Sequence, residues 1–147
     1  MQAAIDLTPR SLGSETYAVG REKIREYARA VGETNPLHLD LDAARAAGYA
    51  DLVAPPMFAA VYGGPAFGRA MLDPAIGIDF EMLLHGGQEF EWDQLVVAGD
   101  EIETEISLGE VRERVGMRFY EFRSSSRNQR GEVVCRGIWT VIVRPRE

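Results

Sequence analysis

The chain has 147 residues, 46% apolar and 27% charged, with a formal net charge of −7. Those values suit one domain that buries its own core, and they exclude a disordered chain. The acidic excess argues against nucleic acid or an anionic membrane as partner, and Cys135, the single cysteine, excludes an internal disulfide and a cysteine-based zinc site.

The opening stretch MQAAIDLTPRSLGSETY carries no apolar run of signal-peptide length. No later segment reaches the about 18 unbroken apolar residues of a membrane span, so a cytoplasmic location is expected. Residues 1–16 are polar and read as a loose lead-in to a single domain covering 1–147. SETYAVGREKIREYARAVGETNP then carries a helix: Ile24, Tyr27, Ala28 and Val31 share one face, and Arg and Glu fill the other. Gly32 stops that helix and Pro36 prevents its resumption. A short second helix is expected in DLDAARAAG, capped by Asp40 or Asp42 and closed by Gly48.

From Met57 to Tyr62 the chain is apolar on every side, with Pro56 suited to a first helical position. A helix without a polar face must be surrounded. Gly63, Gly64 and Pro65 are expected to break or kink it, leaving 66–80 irregular and partly helical.

Beyond residue 86 the pattern alternates. Phe90 and Trp92 are interleaved with acidic residues; Ile102, Thr104, Ile106 and Leu108 oppose Glu101, Glu103, Glu105 and Ser107. Gly99-Asp100 reads as a hairpin turn, and a second turn is expected at Asn128-Gln129-Arg130-Gly131. Helices followed by half-buried alternating strands give α+β order and an antiparallel sheet with one wet face. A curved sheet around one apolar helix satisfies both patterns.

GETNPLH, residues 32–38, holds the chemistry. Glu33 and His38 lie five residues apart on a segment that is not regular helix, so a carboxylate and an imidazole can converge for acid–base work on water and carbon. Asn35 is placed to bond the loop backbone or orient water, and Pro36 stiffens the loop. A plain structural role for a histidine after a helix is the competing reading.

Residues 27–56 resemble the signature of the MaoC-like family of R-specific enoyl-CoA hydratases and 3-hydroxyacyl dehydratases. That signature places an aromatic before Gly-Asp-x-Asn-Pro-x-His, matched by Tyr27, Gly32, Asn35, Pro36 and His38, with the small Ala44 following. LLHGGQEFEWDQLVVAGDEI (83–102) resembles the FAS1-type dehydratase subgroup, in which a His-x-x-Gln-x-Phe strand leads to a Gly-Asp turn. The resemblance implies a single hot-dog fold, an antiparallel sheet wrapped around a central apolar helix. It implies hydration of trans-2-enoyl thioesters, or dehydration of (3R)-3-hydroxyacyl thioesters, carried on CoA or acyl carrier protein. Catalytic roles would fall to Glu33, His38 and Asn35. Substrate would be held at the helix start by Pro56, Met57 and Phe58, with Tyr62 beyond, and an enolate oxygen would meet backbone N–H there. No metal and no redox cofactor are implied.

Two departures from the signature stand out. Position 33 is Glu where the family has Asp, and Pro55 and Pro56 carry no N–H, so the donor must be Met57 or a neighbour. Related subunits of the subgroup can serve as acyl-binding partners of a catalytic chain, which is the alternative function; a hot-dog thioesterase is a third, against which the Asn-Pro-x-His loop argues. A homodimer, or a heterodimer with a MaoC-like subunit, is expected, with the pocket near the interface.

Other residues have plainer readings. His85 reads as an edge or turn histidine bound to backbone and Gln88 as structural, while Phe58, Tyr62, Phe67 and Phe80 read as core, some of it shared with an acyl chain. Arg112, Arg114, Arg118, Arg123, Arg127 and Arg130 read as solvated strand faces, with a patch for CoA phosphates or an acidic carrier as the rival. Cys135 reads as an inert core thiol.

Overall fold

The computed structural model describes residues 5–146. Strand β1 (Arg10–Ala18) leads to helices α1 (Arg21–Ala30), α2 (Leu41–Ala46) and α3 (Ala59–Met71). Strands β2 (Leu83–Trp92), β3 (Glu101–Arg114), β4 (Met117–Arg127) and β5 (Val133–Val143) follow. Single 3₁₀ turns lie at Pro36–His38, Pro56–Phe58 and Phe80–Met82. The strands form one antiparallel sheet in the order β1-β3-β4-β5-β2.

Alternation along β3 sets the face of the sheet. Ile102, Thr104, Ile106 and Leu108 are buried while Glu101, Glu103 and Glu105 face water. The register places Ile106 beside Ser124 and Phe122 beside Trp139, so the inner face is continuous across β3, β4 and β5. Helix α3 packs on that face against β1, β3 and β4, its Ala66 and Ala70 joining a core with Phe122, Trp139 and Val141. The α+β architecture and the helix-on-sheet arrangement agree with the expectation from sequence.

The glycine–proline stretch does not interrupt α3, which runs unbroken through Gly63, Gly64 and Pro65. The reason lies in the packing. A Cβ at Gly63 would sit 2.9 Å from Trp139 Cζ2, so the glycine lets the helix approach the indole closely. Proline costs one intrahelical hydrogen bond, which burial of the helix face outweighs.

Other expectations also need correction. Residues 10–16 are not a loose lead-in but part of β1, whose backbone is satisfied by pairing with β3; residues 1–4 lie outside the described residues. The first helix begins only at Arg21, and Val31, its C-cap, is exposed rather than on the buried face. Phe80 is half-exposed, not core. Gly99 does have φ +95°, but the turn at 97–100 joins β2 to β3, which are not neighbours, so it is no hairpin. Asp100 there is buried, accepting from the Val97 N–H and from Gln129 Nε2.

Both edge strands carry a break in register. In β1 it falls between Ser11 and Ser14, where Gly13 has φ +90° and the Arg69 guanidinium occupies the space a Cβ would need. In β2 it falls between His85 and Gly87, where a Cβ at Gly86 would meet Ile142 at 2.8 Å.

An ion pair ties α1 to the segment that leads into α3: Arg21 Nε and Nη2 donate to the two oxygens of Asp51 at 2.9 and 2.6 Å. The Arg21 hydrogen bond holds the Asp51 carboxyl below the ordinary aspartate range. A folded-state value below the unfolded one means the pair contributes fully above the unfolded aspartate pKa of about 3.9, and its contribution is lost as pH falls through the lower folded value. The Tm gap between wild type and Asp51→Asn is therefore expected to be widest near neutrality and to close in acid. A gap that does not change with pH would mean that the pair is not what Asp51 contributes.

Candidate active site

Helix α1 ends in a turn that delivers the candidate carboxylate. Gly32 takes φ +72° and donates to the Arg29 carbonyl, and the Glu33 N–H donates to the Ala28 carbonyl at 2.8 Å. This is the paired closure that glycine makes cheap at a helix C-terminus. The Glu33 backbone is thereby fixed to the end of α1. Its side chain folds along the loop, Oε1 accepting from the N–H groups of Thr34 and Asn35, each at 3.0 Å. Those two donors, with a smaller contribution from the nearby His38, hold the Glu33 carboxyl below the ordinary glutamate range.

Asn35 is exposed and its Oδ1 caps the next turn, accepting from the Leu37 N–H at 3.0 Å. That turn carries His38 inward, to 6% exposure. His38 Nδ1 lies 2.6 Å from the Val53 carbonyl, and the Val53 N–H donates to the Leu37 carbonyl. A carbonyl only accepts, so Nδ1 is the nitrogen that carries a proton here, and Nε2 is the nitrogen left for other partners. The loop thus places an ionised carboxylate near an imidazole whose tautomer is fixed. Arg25 Nε, donating to the Leu39 carbonyl, fastens the far side of the same loop to α1.

Next to Val53 the chain enters the start of α3. Ala54, Pro55 and Pro56 line a cavity of about 320 Å³ with Tyr62 and the segment 92–96. Trp92 reaches across its rim, Nε1 donating to the Pro56 carbonyl at 2.8 Å. The Phe58 N–H is taken by the Pro55 carbonyl, and no backbone carbonyl among the described residues accepts from Met57. Met57 is half-exposed. Of the four residues expected at the substrate, Pro56 and Tyr62 line the cavity, whereas Phe58 is fully buried among Tyr17, Tyr27 and Tyr62. Glu33 and His38 are not among the lining residues; His38 connects to the cavity wall through Val53.

Trp92 is marked in the sequence only as a strand residue by the acidic–aromatic alternation of EFEW, and nothing in the sequence marks Ala54 or 93–96 as site residues. The Val53 carbonyl, being backbone, leaves no sequence signal. His85 bonds the Gln88 side chain (Nε2 to Oε1, 3.3 Å) rather than backbone, and it is exposed on the edge strand. Arg112, Arg118, Arg123 and Arg130 pair with Glu110, Glu113, Glu121 and Glu132, which favours solvated faces over a phosphate patch. Cys135 is buried, and burial pushes its thiol up.

Residues 7–136, most of the chain, match the family described as FAS1-like, dehydratase domain region. The chain belongs to that family. A UPF0336 protein of Saccharopolyspora erythraea is 40% identical to this dehydratase-family chain over 128 residues, 87% of this chain and 82% of that one. Among solved structures, the C-terminally truncated HadBC (3R-hydroxyacyl-ACP dehydratase) complex from Mycobacterium tuberculosis is 28% identical with a TM-score of 0.76. That match covers 97% of this chain and 99% of the other. A MaoC-like dehydratase is 31% identical with a TM-score of 0.79, over 97% of this chain and 43% of that longer one. The FAS1-like dehydratase domain thus has the hot-dog fold, in keeping with the resemblance drawn from residues 27–56 and 83–102.

Proposed function

We propose that the protein hydrates trans-2-enoyl thioesters, or dehydrates (3R)-3-hydroxyacyl thioesters, carried on CoA or acyl carrier protein. The observation that supports this best is the buried His38 ring, whose bond to Val53 leaves Nε2 as a base beside the ionised Glu33. In the hydration direction His38 Nε2 takes a proton from water as the water oxygen bonds to C3, with the ionised Glu33 holding that water. The imidazolium so formed returns the proton to C2, where the electron pair of the C2–C3 double bond becomes the new C2–H bond. Dehydration reverses each step. Asn35 keeps the loop in shape, and the Met57 N–H faces the enolate oxygen that forms on the thioester. Addition of water leaves the overall oxidation state unchanged, so the reaction calls for no redox cofactor. The protein works in the cytoplasm as a homodimer or with a MaoC-like subunit.

Purified protein is expected to remove the conjugated-thioester absorbance of crotonyl-CoA or a longer enoyl-CoA and to form the (3R) alcohol. Absence of turnover with every chain length would sink the reading.

A second reading has its own support. Glu33 Oε1 already accepts two backbone N–H groups, and Pro55 and Pro56 remove two donors where the enolate would sit. A chain so built could hold the acyl group while a MaoC-like partner performs the chemistry, and the similar HadBC protein is itself a complex of two subunits. Turnover that appears only on mixing with such a partner would decide for this reading.

A further inference from the structure

We propose that the cavity at the start of α3 accepts short acyl chains only, and that Tyr62 is the residue that sets the limit. The inference rests on the acyl-thioester reading above, in either its catalytic or its acyl-binding form.

The argument begins with volume. At about 320 Å³ the cavity holds roughly ten groups the size of a water or methylene, taking on the order of 30 Å³ for each. The thioester itself uses several of these. About four to six carbons of acyl chain remain on that volume scale.

Extension beyond that length needs space between α3 and the sheet, and that space is filled. Tyr62, 3% exposed, closes the cavity on the α3 side, with Cys135 against its hydroxyl. Further along α3, Phe67 stacks on Trp139 at 4.5 Å between ring centres, and Phe90 meets the same indole edge-on at 5.5 Å. Gly63 lies so near Trp139 that even a Cβ would collide. No side chain in this column can swing aside without displacing another. Across the cavity Trp92 is fastened to the Pro56 carbonyl, so the opposite wall is fixed as well. A chain that enters beside Pro55 and Pro56 therefore ends at the Tyr62 ring.

Binding of saturated acyl-CoAs, which cannot react, tests this separately from turnover. In calorimetric titration, affinity is expected to rise about fourfold per methylene from acetyl to hexanoyl, as apolar burial dictates, and then to stop rising or fall. Tyr62→Ala is expected to move that break to longer chains, so that octanoyl-CoA and decanoyl-CoA gain on hexanoyl-CoA by tenfold or more. Tyr62→Leu, a smaller change that keeps the core apolar, is expected to move it in the same direction by fewer carbons and guards against a misfolded alanine variant. Dodecanoyl-CoA binding to wild type more tightly than hexanoyl-CoA would overturn the proposal even if enoyl hydration succeeds. An unchanged break in a folded Tyr62→Leu, or absence of binding at every length, would overturn it too. A short-chain break without any hydration would leave the proposal standing and remove only the catalytic reading.

Discussion

Asparagine in place of His38 is expected to leave the protein folded while lowering hydratase turnover by about 10²–10⁴-fold, the usual share of a general acid or base. The two roles of this ring are carried by different atoms. Nδ1 donates to the Val53 carbonyl, while the base's part in the proposed reaction belongs to Nε2. Asparagine can present its amide N–H to the same carbonyl from a similar distance along the side chain, but it has nothing at the Nε2 position. Alanine removes both roles, leaves the Val53 carbonyl without its imidazole partner, and is expected to cost about 1–3 kcal/mol of stability as well as the activity. Thermal melts of the two variants, set beside initial rates with an enoyl-CoA, separate the roles. Full activity in a folded His38→Asn would mean that the histidine only pins the loop.

Phe58→Ala is expected to destabilise the fold by about 3–5 kcal/mol, the range for deleting a buried aromatic. Its ring is fully buried and contacts three others: Tyr27 at 5.5 Å and Tyr17 and Tyr62 at 6.3 Å, the first nearly perpendicular. Those partners lie on β1, α1 and α3, so one side chain joins the sheet edge, the helix that presents Glu33 and the helix that begins at the cavity. Denaturant unfolding should show the loss directly, and Tm should fall by about 10 °C or more. Phe80→Ala provides the contrast: at 49% exposure it should shift stability by no more than about 0.5 kcal/mol. Equal effects at the two positions would contradict this account of the core.

What could be read from the sequence and what could not divide along a physical line. The alternation on β3 and the stop at Gly32 are local: residue type and spacing determine them, and both appear in the structure. The turn from Gly32 to His38 is local in the same way, set by Gly32, the Asn35 cap and Pro36. The continuity of helix α3 at Gly63 is not local: it depends on Trp139, far along the chain and in contact only after folding. Strand β1 leaves no such signal because its inward residues, Leu12 and Tyr17 among them, are too sparse to show a period; pairing with β3 holds it in place. The cavity could not be seen either. Its walls come from 54–56 and 92–96, and the fastening of Trp92 to Pro56 is a bond to backbone.

The interrupted edges of the sheet have a bearing on solubility. An unbroken outer strand offers its amides to any extended segment, including one from a partly unfolded copy of the same chain. Here the offer is broken on both sides, at Gly13 and at Gly86. An intruding strand could pair for a few residues and would then fall out of step, too early to seed a growing stack. The two glycines act as stops against indiscriminate aggregation, and a variant that evened out either edge would be expected to precipitate sooner when concentrated.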